Sequence, residues 1–225
     1  MKRVIPTLLA GTAILCVGLA FGTTASKKAH AVSPDTAIEK GTVKPGIMVP
    51  VAADAGDGGQ KFIEGMAQRA VDFLANTTMS QDQKAVEFRN LLQDSFDLET
   101  IGRFALGRYW NTATPEQRKE YQRLFRDMVV KVYSNRFKEY QGQKVETRSH
   151  RNDANGDVIV TSFIVPETGA EIQVDWRTRN KNGKWKIVDV IVEGVSMSVT
   201  QRSDFSSVIQ RGGGDMKVLL DYLRK

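Results

Sequence analysis

With 225 residues, 41% of them hydrophobic, a formal charge of +6 and one cysteine, the chain is large enough to build a sizeable core and cannot be a disulfide-stapled scaffold. Its charge does not mark a nucleic-acid binder: Lys2, Arg3, Lys27 and Lys28 precede residue 32 with no acid among them, so the remainder carries only +2. Cys16 lies in the same stretch, and beyond it there is no thiolate nucleophile and no thiolate metal ligand.

Lys2 and Arg3 lead into an apolar run from Val4 to Phe21, followed by Ala29-His30-Ala31. A basic start, an apolar centre and a small-x-small site read as a cleavable secretory signal over 1–31. The run is long enough to compete as a membrane anchor, but Pro6, Gly11 and Gly18 weaken it as a span. Leu15 before Cys16 is a poor match to lipoprotein processing. Residues 32–60, rich in Gly, Pro, Ala and Asp without periodicity, read as a flexible arm. Residues 61–225 contain no second linker and read as one domain.

Phe62, Ile63, Met66, Ala67, Ala70, Phe73 and Leu74 recur at three and four residues and predict a helix over 60–76. Ser80 with Gln83 is a capping box opening a second helix through Phe88, Leu91 and Leu92. Asp97 caps a shorter segment with Leu98, Ile101, Phe104 and Ala105. Thr114, Pro115 and Glu116 start a long helix that should run to about Tyr140 and stop at Gly142. The period then changes to two: strands are expected over 158–165, 172–177 and 185–192, with a weaker one over 144–149 and a hairpin turn at Asn182-Gly183. Helices around Phe205–Ile209 and Val218–Leu223 close the chain, separated by Gly212–Gly214. Helices grouped around an antiparallel sheet of roughly four strands indicate an α+β fold.

Two stretches of strand, Val158-Ile159-Val160 and Ile187 to Val192, are almost continuously apolar. A sheet with one wet face alternates instead, so the second face is expected to meet more helix or a cavity; ordinary core and lined cavity both fit. Catalytic groups are scarce. His150 sits in a polar stretch that reads as a surface loop, with no partner for a metal site or triad. Asp189, between two valines, needs a hydrogen-bond partner in a neighbouring turn or in Arg177. Asp175 and Glu193 make a carboxylate pair only if the fold joins them. Gly212–Gly214 lacks a phosphate-loop context and reads as a hinge. The chain is expected to be no enzyme, with no cofactor and no metal.

Several ordered matches carry a resemblance: Gly107-x-Tyr109, Ala113-Thr114-Pro115-x-Gln117-Arg118, Tyr121, Phe125-Arg126, Tyr140-x-Gly142-Gln143, Trp176-Arg177, Trp185-x-x-x-Asp189 and Glu193-Gly194-Val195-Ser196-Met197. Over residues 61–225 the chain resembles the MlaC family, periplasmic phospholipid-binding proteins, also called toluene-tolerance proteins, that serve an ABC transport system. A sister group linked to hopanoid metabolism shares this outline, so a polycyclic lipid is the alternative passenger. The resemblance implies a monomeric periplasmic carrier that shuttles phospholipid between an inner-membrane ABC transporter complex and an outer-membrane lipoprotein complex, maintaining outer-membrane lipid asymmetry. At ~0.8 kcal/mol for each of roughly 30 tail methylenes, bare tails cost on the order of 25 kcal/mol in water. The carrier therefore needs an enclosing pocket, near the upper end of the usual ~300–1,000 Å3.

Face assignment at the matching positions selects Phe104, Tyr109, Trp110, Phe125, Met128, Val129, Tyr133, Val160, Val174, Trp176, Val188, Val190, Val195 and Met197 as the lipid-facing wall. Arg103, Arg108, Lys119, Arg123 and Arg126 are the candidate rim for docking acidic partners or head groups.

Overall fold

A computed structural model describes residues 55–225. The export signal expected over 1–31, and the arm up to residue 54, lie outside the described residues. The order is α1 (Ala55–Ala75), α2 (Gln81–Ser95), α3 (Leu98–Leu106), α4 (Tyr109–Thr112), α5 (Pro115–Ser134), β1 (Lys144–Asn152), β2 (Val158–Val165), β3 (Ile172–Lys181), β4 (Lys184–Val192), β5 (Val195–Ser196), α6 (Met197–Arg211) and α7 (Met216–Leu223). The class is α+β, with five strands rather than four.

Local chemistry sets the boundaries. Ser80 accepts from the Gln83 amide at 3.2 Å while the Gln83 side chain accepts from the Ser80 amide at 2.7 Å. Thr114 and Gln117 repeat this reciprocal cap at the head of α5, with Pro115 in the first turn. Asn182 and Gly183 both have positive φ (54° and 79°), as a type I′ hairpin requires. Glu193 and Gly194 (49° and 80°) make a second such turn, which creates the unforeseen β5.

Two helices differ from expectation. α1 starts at Ala55, so 55–60 is helix rather than arm. The glycines there serve close packing: a Cβ on Gly56 would lie 2.1 Å from the His150 ring, and one on Gly59 3.1 Å from Thr178. α5 ends at Ser134, not near Tyr140, and a 3-10 turn over Phe137–Glu139 follows. That break seats Phe137 edge-on against Phe88 and Phe73, with ring centres 5.3 and 6.0 Å apart.

The sheet is an antiparallel meander, β1-β2-β3-β4-β5. By register, Val158, Val160, Ser162 and Ile164 share one face with Val174, Trp176 and Thr178 and with Ile187, Val190 and Val192. This inner face takes both the helices and the cavity. The other face is wet, contrary to the two-sided covering anticipated above. Its arginines pair across strands, with Arg179–Asp157 at 2.6 Å, Arg148–Glu171 at 2.7 Å and Arg177–Asp153 at 3.2 Å. Ile159 is only 3% exposed there, between Arg151 and Arg177 on the neighbouring strands.

The apolar interior divides into two main cores. One, among α3, α5, α6 and α7, is built on Tyr121, Phe125, Phe205, Ile209 and Leu219. The other, between α1, α2 and the sheet, is built on Ile63, Leu91, Val158, Val160 and Ile187. A small cluster of Leu92, Leu98 and Val130 bridges them. Within the first core, the buried Tyr121 hydroxyl donates to the Gly102 carbonyl at 2.8 Å, and burial pushes its phenol above the ordinary value.

Candidate functional site

α5 packs on α2, α3 and α7 instead of on the sheet. The space left between α5 and the inner face is an apolar cavity of about 290 Å3. Every element that borders this gap contributes to the wall. α1 supplies Met66 and Ala70, and α2 supplies Phe88, Leu91 and Leu92. Leu98 and Ile101 come from α3, and Phe125, Met128, Val129, Val132 and Tyr133 from α5. The sheet adds Ile164, Val174, Trp176, Val190 and Val192.

Polar edges are turned away or satisfied. The Trp176 indole N–H donates to Ser162 Oγ at 2.8 Å, leaving its ring for the cavity. Burial raises the Tyr133 phenol, with Arg136 opposing weakly, so this side chain stays neutral. Apart from Tyr133, the polar residues of the wall gather at one end, where Asp189, Ser198 and Gln201 stand at the start of α6. Asp189 Oδ2 accepts from Ser196 Oγ at 2.6 Å, and Oδ1 from the amides of Val190 and Ser198 at 2.9 and 3.2 Å. The carboxylate therefore pins β4 to the N-terminus of α6 and satisfies one amide of its first turn. Its partners are in the neighbouring turn; Arg177 pairs with Asp153 instead.

Of the fourteen wall residues expected from the sequence, Phe125, Met128, Val129, Tyr133, Val174, Trp176, Val190 and Met197 border the cavity. The other six stand elsewhere. Val160 is wholly buried in the sheet-side core, and Val188 is the extra residue of a bulge opposite Arg177 and Thr178. Tyr109 and Trp110 pack on the outside of the helical core from the short α4. Phe104 and Val195 remain exposed at 42% and 53%, Phe104 turned towards Arg202 of α6 and Val195 at the sheet edge past the second hairpin turn. Sequence reasoning missed the α1 and α2 walls, because an amphipathic stripe looks the same whether it faces side chains or space. Val132, one turn beyond Met128, and Val192, two residues beyond Val190, were reachable by periodicity.

The cavity is also smaller than expected, at the bottom of the range where the upper end was anticipated. The basic rim divides: Arg123 is bound to Asp127 at 3.0 Å on the outer face of α5, whereas Arg103 and Arg108 lie at the end of α3 among aromatic rings. Lys119 and Arg126 are exposed on α5.

Other candidate chemistry resolves into structure. His150 is in strand β1 and not a loop, its Nδ1 2.9 Å from Gln60 Oε1 and its ring against α1. Asp175 accepts from Thr161 Oγ1 at 2.6 Å and Glu193 from the Gln173 amide at 2.6 Å, so each carboxylate has its own partner. Gly212–Gly214 ends α6, with the Gly214 amide returning to the Ile209 carbonyl at 2.9 Å. Among the described residues no group of three His, Cys, Asp or Glu side chains is placed to hold a metal ion.

Fold and site together define a class: an α+β domain with an apolar chamber between a helical wall and the inner face of a meander sheet. The sequence places it more closely. The family model described as MlaC protein matches residues 64–225. The chain belongs to the MlaC family. It is 27% identical to the intermembrane phospholipid transport system binding protein MlaC of Haemophilus influenzae, over 67% of this chain and 76% of that one. It is 29% identical to the toluene tolerance protein ttg2D of Pseudomonas putida over 51% of this chain, a match spanning about half (53%) of that relative. A phospholipid-binding protein from Ralstonia solanacearum, solved in complex with a phospholipid, shares the fold at a TM-score of 0.64 and 23% identity, covering 74% of this chain and 94% of that one.

Proposed function

We propose that this protein is a non-enzymatic periplasmic phospholipid carrier, exported by a cleaved N-terminal signal. It takes a lipid from one membrane complex and yields it to another, an inner-membrane ABC transporter complex and an outer-membrane lipoprotein complex, and so maintains outer-membrane lipid asymmetry. The observation that carries this reading is the chamber itself: apolar walls drawn from α1, α2, α3, α5 and the sheet, with polar groups gathered at the start of α6. Family membership and the phospholipid names of the relatives support it.

In this mechanism acyl chains lie between α5 and the inner face, along Met128, Val129, Trp176 and Val190. The ester region meets Ser198 and Gln201, and the head group stays wet. A chamber of about 290 Å3 is too small for two full tails, so loading moves α5 away from the sheet. That movement spares the sheet, and its cost falls on the packing of α5 against α2, α3 and α7. The gain is roughly 0.8 kcal/mol for each methylene withdrawn from water.

Organic extraction and mass spectrometry of protein purified from its own host tests the proposal. One two-chain phospholipid per chain is expected. A rigid polycyclic lipid, or no lipid with an unaltered chamber, overturns it.

A further inference from the structure

Arginines in this protein are, as a rule, neutralised by neighbouring carboxylates, as at Arg69–Asp94 (3.2 Å), Arg179–Asp157 (2.6 Å) and Arg224–Glu120 (2.6 Å). The corner formed by the end of α3, α4 and the outer side of α6 breaks this rule. Arg103, Arg108, Arg118 and Arg202 stand there, and none pairs with a carboxylate among the described residues; Arg126 and Arg211 are scattered exceptions elsewhere. Each of the four lies instead against an aromatic ring: Arg202 5.4 Å from the centre of Phe104, Arg108 5.0 Å from Tyr109, and Arg103 and Arg118 5.8 and 5.5 Å from Trp110.

Part of this cluster serves the fold. Arg118 donates to the carbonyls of Trp110 and Asn111, and cations suit the C-terminal end of α3. That role does not explain the apolar surface beside them. Phe104 is 42% exposed, and Val199, one turn before Arg202 on the same face of α6, is 54% exposed.

We propose that this corner is a docking surface for a bilayer rich in anionic phospholipid. Unpaired arginines supply attraction to the phosphates. Amphipathic Trp110 and Tyr109 suit the head-group layer, and Phe104 with Val199 gains by entering the acyl boundary. Position agrees. Ile101, one turn before Phe104 on α3, and Gln201, beside Arg202 on α6, both line the chamber. Docking here sets the chamber wall against the membrane. The inference stands on the surface alone, whatever the chamber carries.

The test is flotation of the full-length chain with vesicles of phosphatidylcholine alone or with about a third phosphatidylglycerol. Any binding by the apolar N-terminal run is common to parent and variants, so the readout is their ratio. Arg108→Gln with Arg202→Gln should weaken partition onto anionic vesicles about five-fold for each arginine removed, with parent and variants converging as salt rises. Phe104→Ser should weaken it several-fold without changing the salt dependence. Arg123→Gln, whose guanidinium is held by Asp127, should partition like the parent. Circular dichroism and melting temperature confirm that each variant is folded. Equal partition of the double variant and the parent overturns the proposal. So does a double variant that keeps its vesicle partition but loses capture by an acidic protein partner, which would assign the corner to a protein.

Discussion

Val160, Trp176 and Val190 stand in one cross-strand row on the inner face of the sheet, yet only two of the three border open space. Val160 is fully buried in the sheet-side core, whereas Val190 faces the chamber of about 290 Å3. The same substitution at the two valines therefore has opposite consequences. Exchanging Val for Trp adds roughly the bulk of a benzene ring, and an empty cavity of ~150 Å3 is known to accept benzene. The chamber can take that ring in about half its volume. Val190→Trp should change stability by no more than ~1 kcal/mol, because the new aromatic surface is buried in existing space. Val160→Trp has no such space and should cost about 3 kcal/mol or more by overpacking. Lipid loading should follow the reverse order: the Val190 variant is folded but carries well under half of the parent's lipid, and any folded Val160 variant retains its share. Urea denaturation gives the stabilities, and phosphorus content per chain gives the load. A Val190 variant with full load and intact fold, or equal stability losses at the two sites, would refute the claim that this space is the binding chamber.

Asp189→Ala should cost about 2–4 kcal/mol, since it strips acceptors from Ser196 Oγ, from the Ser198 amide at the start of α6 and from the Val190 amide of β4; Asp189→Asn should recover part of this, and a loss below ~0.5 kcal/mol in urea denaturation contradicts the pin. Gly56→Ala should lower stability by about 1–2 kcal/mol, because its methyl meets the His150 ring; a neutral result on the thermal melt argues that 55–60 is not packed on the sheet. For Asp97, burial raises the carboxyl, but the amide and hydroxyl of Thr100 and the charge of Lys181 outweigh it and hold the group below its ordinary value. A depressed carboxylate contributes stability above its unfolded value near ~4 and loses it as pH falls through the folded value. Asp97→Asn should therefore be less stable at pH 7 and lose less stability between neutral pH and about pH 3; parallel curves of parent and variant would remove this assignment.

Local determinants were legible from the chain alone. The boxes at Ser80 and Thr114, the Asp97 cap and the Asn182-Gly183 hairpin are made by residues within a few positions of one another, so their geometry is written in the order of side chains. The α+β class follows from the change of period near residue 144. Of the eight wall residues found, four lie on the apolar face of α5 and three on the apolar strands, and Met197 opens α6. What only tertiary structure decided is what each face meets. Val160 and Val190 both lie in apolar strand runs, but one is in solid core and the other borders space, because α5 leans on α2, α3 and α7 and leaves the sheet bare beneath it. The glycines of 55–60 resemble a tether until the distance to His150 is known. Arg103 and Arg202 are too far apart in the chain to be read as one surface, and they meet only because α3 and α6 pack side by side. Propensity and capping act over one turn or one hairpin; a void and a surface patch arise from distances between elements, which no short stretch of sequence contains.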